Sequence, residues 1–366
     1  PIWEGMGLGE GVWQSVFTSI SAFNNAGFEI LPDDLVGGGS LFGLSTDIPT
    51  LLVIGAMIII GSTSYATLGN VVEIRGWHRR ALASKSVLFG TGVIALTGLG
   101  VFITIIGLNQ DLQSLRIFGL VIAILPASYA AFAYLIRIRR WRHLTLDTKL
   151  VLIGIGVMLL IGFVSFMSLE WNNADTIGNE SAGSKVTQSF FHTVNRTAGF
   201  ATIDYSKVHS ANLTVIEGLM FVGGASASTA GGIKVSTLMV IVIASFAIFS
   251  GKERTTVFGR EIPRVNVHRA MAVGATAAAA VLVLVIALFI VQPGLDFRSG
   301  VFEIISAFGT VGWSAGATKH LNEGAQIVLS ITMFAGRFGP LTIALFMAGR
   351  ERHDPIRYAS ERIRIG

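Results

Sequence analysis

The sequence predicts an all-α polytopic membrane protein assembled from repeated helix–loop–helix units, and three observations carry that prediction. Hydrophobic residues make up 52% of the 366 and charged residues only 13%, with a mean hydropathy of +0.66. That balance belongs to membrane chains rather than to soluble domains. A short pattern then occurs three times: SAFNNAGF at Ser21–Phe28, TVNRTAGF at Thr193–Phe200 and SAFGTVGW at Ser306–Trp313. Aligned on Gly27, Gly199 and Gly312, each copy has a hydroxyl residue six positions earlier and an aromatic residue one position later. Internal repetition of this kind outranks any single-segment reading. Finally, 19 of the 27 Lys and Arg residues fall in four clusters that all lie on one side of the expected spans.

In chain order, Gly9–Phe23 is apolar on one face but too short to cross a bilayer, which takes about 20 residues. It reads as a half-helix that enters the membrane and stops. A polar turn at Pro32-Asp33-Asp34 and a glycine run at Gly37–Gly39 follow. Pro49–Asn70 is the first expected full span, followed by spans at Ser86–Gly107, Arg116–Ile138 and Lys149–Leu169. A second half-helix is expected at Ser184–Asn195, then an interrupted span from Asn212 to Ser250. Arg269–Gln292 reads as a span, Ser299–Phe308 as a third half-helix, and Ala325–Gly349 as the last span. The chain opens on Pro1 without an initiator Met or a signal-like charged start, as expected of a chain lacking its N-terminal part.

The basic clusters centre on Arg79, Arg139, Arg260 and Arg357, while the opposite loops carry Asp33, Asp34, Asp47, Asp111, Glu170, Asp175 and Glu180. The positive-inside rule makes the clusters cytoplasmic and sets all three glycine turns on the outer half of the membrane. The pI of about 9.7 then reflects topology, with no nucleic acid required. The absence of cysteine excludes disulfides and thiolate metal sites.

Non-helical backbone at membrane depth is tolerated only where it is buried or lines a water-filled path. An extended turn with a glycine can aim successive carbonyl oxygens at one axis and replace the hydration shell of a cation. Half-helices ending there direct their partially negative C-termini at the same place. The expected ion-binding filter is therefore Asn25-Ala26-Gly27, Thr197-Ala198-Gly199 and Thr310-Val311-Gly312. The last resembles the first three residues of a potassium-channel filter, although Ser314 stands where that filter has a second glycine. The unlike copies suit one chain supplying unequal quarters of a pseudo-fourfold ion pore, each unit being helix–pore loop–helix. Three chance glycine turns between helices are the bland alternative.

Gly223–Lys234, GGASASTAGGIK, breaks the span after the second copy. A helix does not run comfortably through Gly223, Gly224, Ala225, Ser226, Ala227, Ser228, Thr229, Ala230, Gly231 and Gly232. The stretch reads either as a gating loop inside the pore or as a close helix–helix contact through small residues. Lys234 ends it, and Arg337 lies in the last span. Charges at that depth cost roughly 2.5–3.5 kcal/mol and should face water or a partner. Arg196 and Glu303, embedded beside two of the turns, are candidates to pair with each other. His192 reads as a hydrogen-bonded packing residue rather than a ligand. No phosphate loop, HExxH or Ser/His/Asp set is present, so neither covalent catalysis nor a cofactor of this chain's own is expected.

NNAGF, RTAGF, GTVGW, GGASASTAGGIK, RFGPLT and the tail ERIRIG together resemble the Trk/Ktr/HKT potassium transporter superfamily, in particular its bacterial KtrB/TrkH-type membrane subunits. The resemblance covers Pro1–Asn70 and Trp141–Gly366. It implies potassium uptake across the plasma membrane, with Gly27, Gly199 and Gly312 as filter glycines two, three and four. It also implies Gly223–Gly232 as the intramembrane gate and Arg337 as the arginine beside it. It further implies a homodimer with a cytosolic nucleotide-binding regulatory subunit of KtrA/TrkA type. A sodium-permeable or weakly selective transporter is the alternative, since each copy has one glycine. A membrane scaffold or lipid-modifying enzyme is the alternative of another class.

The organisation expected is residues 1–80, pore loop and second helix of repeat two; 81–140, an extra two-helix hairpin; 141–265, repeat three with the gating loop; and 266–366, repeat four with a cytoplasmic C-terminus. The hairpin accounts for the uneven spacing, 172 residues from Gly27 to Gly199 against 113 from Gly199 to Gly312. It has no recognised counterpart in the superfamily. With the first repeat absent, the 366-residue chain by itself is expected to be unstable in a bilayer.

Overall fold

Two long helices that carry charge only in their first two turns stand among shorter ones, as the apolar pattern requires. The computed structural model describes residues 8–31, 40–76 and 143–338. The expected hairpin at 81–140, its two spans, and the motifs beyond residue 338 lie outside them.

Helix α1 (Leu8–Phe23) is the first half-helix. Helix α2 (Ile48–Ser62) starts at Asp47, whose carboxylate accepts from Thr50 N at 3.3 Å. Helix α3 (Tyr65–Gly76) follows after two residues. The expected single span Pro49–Asn70 is thus corrected to two helices set at 99°. The reason is local. Thr63 is extended, and the Ser62 and Thr63 hydroxyls turn back onto Ile59 O at 3.1 and 2.7 Å. The carbonyls freed at the break are taken from a distance: Ala225 N donates to Ser62 O at 2.9 Å and Thr229 N to Gly61 O at 3.2 Å.

Helix α4 (Leu146–Leu169) is capped by Thr145 and α5 (Ala182–Asn195), the second half-helix, by Ser181. Helices α6 (Ser210–Phe221) and α7 (Val235–Phe249) are the two halves of the interrupted span. A two-stranded ribbon, β1 (Thr256–Val257) with β2 (Arg260–Glu261), precedes α8 (Arg264–Val291). Helix α9 (Phe297–Gly309), capped by Asp296, is the third half-helix, and α10 (Glu323–Phe338) closes the described chain.

Among the described residues, α4 and α8 are each long and apolar enough to cross a membrane. Both leave aliphatic side chains uncovered, Leu160 and Val164 on α4 and Leu282, Val283 and Ile290 on α8. An apolar helix with open apolar faces is what lipid requires. The second and third half-helices sit inside, whereas the first leaves Val12, Trp13 and Ile20 exposed. Phe191, Val194 and Phe200 pack with Ala22, Ile54 and Ile58, joining the first two units. Phe302, Val311 and Trp313 pack with Tyr205, Ile216 and Met220, joining the second and third.

Candidate functional site

Each half-helix ends immediately before its glycine segment, so the three segments start from helix C-termini. In the first and third copies the chain leaves the helix identically. Asn25 and Thr310 are left-handed (φ 52° each), and Ala26 N and Val311 N return to Ser21 O and Ser306 O, both at 2.9 Å. The middle copy differs: Ala198 N bonds Asn195 O at 2.9 Å. The hydroxyl shared by the copies is used differently: Ser306 Oγ accepts from Gly312 N at 3.2 Å, while Thr193 Oγ1 donates back to Ser189 O at 2.7 Å.

Gly27, Gly199 and Gly312 all have positive φ, 75°, 81° and 98°. The segments follow one another side by side. A Cβ on Gly27 would lie 2.0 Å from Ala198 O, and one on Gly199 would lie 2.0 Å from Val311 O. The same contact, glycine against the carbonyl of the next segment's middle residue, occurs at both junctions. Around Gly312 no described atom stands within 4 Å of such a position. Ala26, Gly27, Gly199, Thr310, Val311 and Gly312 line one cavity of about 440 Å³. The aromatic after the glycine ties neighbouring copies, since Trp313 Nε1 donates to Phe200 O at 2.9 Å. Phe28, by contrast, is exposed.

The stretch between α6 and α7 is a closed loop, with no helical turn. Val222 and Ile233 form a parallel bridge, Gly223 N donating to Ile233 O at 2.8 Å and Ile233 N to Phe221 O at 3.1 Å. Beyond the bridge the loop reaches both flanking units. On one side it meets the α2–α3 break through Ala225 and Thr229. On the other, Gly232 N donates to Gly336 O at 3.3 Å, and Arg337 donates to Thr229 O. Lys234 closes it internally, Nζ to Ala230 O at 2.5 Å. It also touches two of the glycine segments. Asn25 Nδ2 donates to Thr229 Oγ1 at 2.7 Å, and a Cβ on Gly231 would lie 2.2 Å from Thr310 Oγ1.

Arg196 and Glu303 do not pair. Arg196 is buried, and its guanidinium donates to the carbonyls of Leu219 (3.1 Å), Val222 and Gly223 (3.3 Å). These are the end carbonyls of α6, left without helical partners where the loop begins. Glu303, also buried, accepts from Ser314 at 2.5 Å and Thr318 at 2.7 Å, just past the third segment. His192 is a packing residue as expected, bonded to Tyr205 Oη at 2.8 Å and Thr202 Oγ1 at 2.9 Å and stacked on Phe166. Because one cation serves three buried carbonyls, Arg196→Leu is expected to lower stability by on the order of 3 kcal/mol. Thermal unfolding in detergent measures it. A melting temperature unchanged from the parent would show the carbonyls have other partners.

Two features escape a linear reading. The side chain of Asn25 joins two elements far apart in sequence, and no local pattern announces that. The close approach of the outer helices, however, leaves a trace. A Cβ on Gly61 would lie 1.7 Å from Phe23 O and one on Gly336 would lie 1.8 Å from Phe308 O. Gly336 and Gly223 both stand 24 residues after their segment's glycine, a spacing visible in the sequence.

The TrkH family of cation transport proteins matches residues 116–353. That match begins inside the expected hairpin, so the part from 116 onward does have a family counterpart. The chain is 30% identical over 361 residues to the Ktr system potassium uptake protein B of Bacillus subtilis, covering 98% of this chain and 65% of that protein. It is 28% identical over 370 residues to the potassium/sodium uptake protein NtpJ of Enterococcus hirae, again covering 98% and 65%. Of solved structures, the potassium transporter TrkH of Vibrio parahaemolyticus superimposes with a TM-score of 0.48 at 16% identity, over 92% of this chain and 78% of that one. The chain thus spans about two thirds of the length of the curated relatives it matches. It is a helical multi-pass membrane protein, and it belongs to the TrkH cation transport protein family.

Proposed function

We propose that this chain forms part of the pore of a potassium uptake protein in the plasma membrane. One observation carries the reading: three glycine segments at half-helix C-termini stand edge to edge and line one cavity. In that reading the carbonyls of Asn25–Gly27, Thr197–Gly199 and Thr310–Gly312 replace the hydration of a potassium ion, which is the substrate. The loop Gly223–Gly232, with Lys234 and Arg337, is the gate on the inner side. Relatives named as potassium uptake proteins support the substrate. The Ktr-system names support a partner subunit, here a cytosolic nucleotide-binding one of KtrA/TrkA type, and a homodimer is the expected assembly.

A second reading, passage of sodium as well, is favoured by the single glycine per segment and by the potassium/sodium relative. Rubidium uptake by the natural full-length protein, expressed in cells lacking their own potassium uptake, separates the two. Potassium is expected to compete with rubidium and sodium not to. Equal competition by sodium would establish the second reading, and no uptake at all would remove both.

A further inference from the structure

Resting on the filter and gate roles proposed above, we infer that the Asn25 side chain is a positioning residue that couples the gate loop to the filter, so that each senses the state of the other. Asn25 is buried, and three of its four amide hydrogen-bonding capacities are used, each toward a separate part of the chain. Its Oδ1 accepts from Thr197 Oγ1 at 2.7 Å, the first residue of the neighbouring filter segment. Its Nδ2 donates to Thr229 Oγ1 at 2.7 Å, in the loop, and to Phe23 O at 3.3 Å, at the end of its own half-helix.

Proton counting fixes the direction of this link. Thr229 Oγ1 has one proton, and Gly61 O lies 2.9 Å away to take it. Phe23 O, which can only accept, also faces the amide at 3.3 Å, so the nitrogen turns to Phe23 and the loop, Thr229 accepts from it, and the oxygen is left for Thr197. The chain Thr197 → Asn25 → Thr229 → Gly61 runs in one sense from the filter, through the loop, to the break between α2 and α3. Thr229 is also where the loop is held from the far side, its carbonyl accepting from Arg337. Lifting the loop breaks the Asn25 bond, and the amide is then free to turn away from Thr197. A filter that reorders around a different ion moves Thr197 and loosens the loop from the other end. Asn25 holds its left-handed backbone (φ 52°) while doing so, a conformation that asparagine tolerates better than most residues.

Coupling of this kind is reciprocal, so the filter ion should be readable at the loop. The chain has no cysteine and Ser226 is exposed, so Ser226→Cys places one reporter thiol on the loop. In purified natural full-length protein with this as its only thiol, potassium is expected to slow thiol modification about fivefold or more relative to sodium. Thr229→Val keeps the shape and removes the acceptor. Asn25→Gly removes the amide and keeps the left-handed backbone. Both are expected to bring the two rates together, and Thr229→Val alone is sufficient if Asn25→Gly does not fold. A parent that labels equally in both salts, or variants that keep the parent's difference, would overturn the coupling. Uptake distinguishes this from failure of the filter reading. A potassium-selective parent with salt-independent labelling refutes the coupling alone. A parent with salt-dependent labelling that takes up sodium as fast as potassium refutes the selectivity and supports the coupling.

Discussion

Gly199→Ala in the natural full-length protein is expected to lower the ratio of potassium to sodium uptake by at least about tenfold, or ~1.4 kcal/mol of discrimination. The added Cβ would stand 2.0 Å from Val311 O and 3.0 Å from Val311 C, both backbone atoms of the next segment. No rotamer change relieves such a contact, so one segment must retreat by more than an ångström. The positive φ of 81° adds backbone strain of about 1 kcal/mol or more. A carbonyl cage that widens on one side no longer replaces the hydration shell of potassium, and ions that keep part of their water then pass with little regard to size. Gly27→Ala meets Ala198 O at the same 2.0 Å and should behave alike. Gly218→Ala on α6 is the control, since no atom lies within 4 Å and its φ is ordinary. It should leave uptake unchanged and gain up to about 1 kcal/mol of stability from helix propensity. Selectivity retained in Gly199→Ala and Gly27→Ala would remove these segments from the ion path.

The half-helices were legible because their ends carry local chemistry. Ser181 and Asp296 cap the second and third, and Gly199 and Gly312 mark the turns that follow them. The loop was legible because its composition opposes a helix without help from any neighbour. The break at Thr63–Ser64 was not. Residues 49–70 read as one span, and the donors that satisfy Gly61 O and Ser62 O come from Thr229 and Ala225, more than 160 residues later. Arg196 misled for a related reason. A buried cation suggests a buried anion, yet the nearest acceptors are the orphaned carbonyls where α6 stops. Glu303 then needs no cation, because the Ser314 and Thr318 hydroxyls donate to it. Which repeat departs from the others is equally a matter of three-dimensional context. Asn25 and Thr310 share a left-handed exit that Thr197 lacks, although the middle copy, RTAG, looks no stranger than NNAG.

Removing Ala225–Ala230 is expected to raise potassium flux by at least about tenfold while leaving the segments intact. The deletion is geometrically mild. Gly223 already approaches Gly231, with an ideal Cβ only 1.7 Å from Gly231 O, and a Cβ on Gly224 would lie 3.0 Å from Ala230 Cβ. The Val222–Ile233 bridge lies outside the deleted residues and keeps α6 and α7 in register. Arg196 likewise still binds Leu219, Val222 and Gly223. What disappears is the set of bonds holding the loop across its neighbours: Ala225 to Ser62, Thr229 to Gly61, Asn25 to Thr229, and Arg337 to Thr229. At about 0.5–1.5 kcal/mol each, the four together favour the docked loop by about 2–6 kcal/mol, more than the ~1.4 kcal/mol that a tenfold change requires. Arg337→Gln, which weakens one of these bonds, should raise flux in the same direction by less. Dependence on the proposed cytosolic partner should fall in both variants, because the proposed closed state loses part of its hold. A deletion that folds and reaches the membrane but conducts less would make the loop a packing element that keeps Asn25 and Thr310 in place.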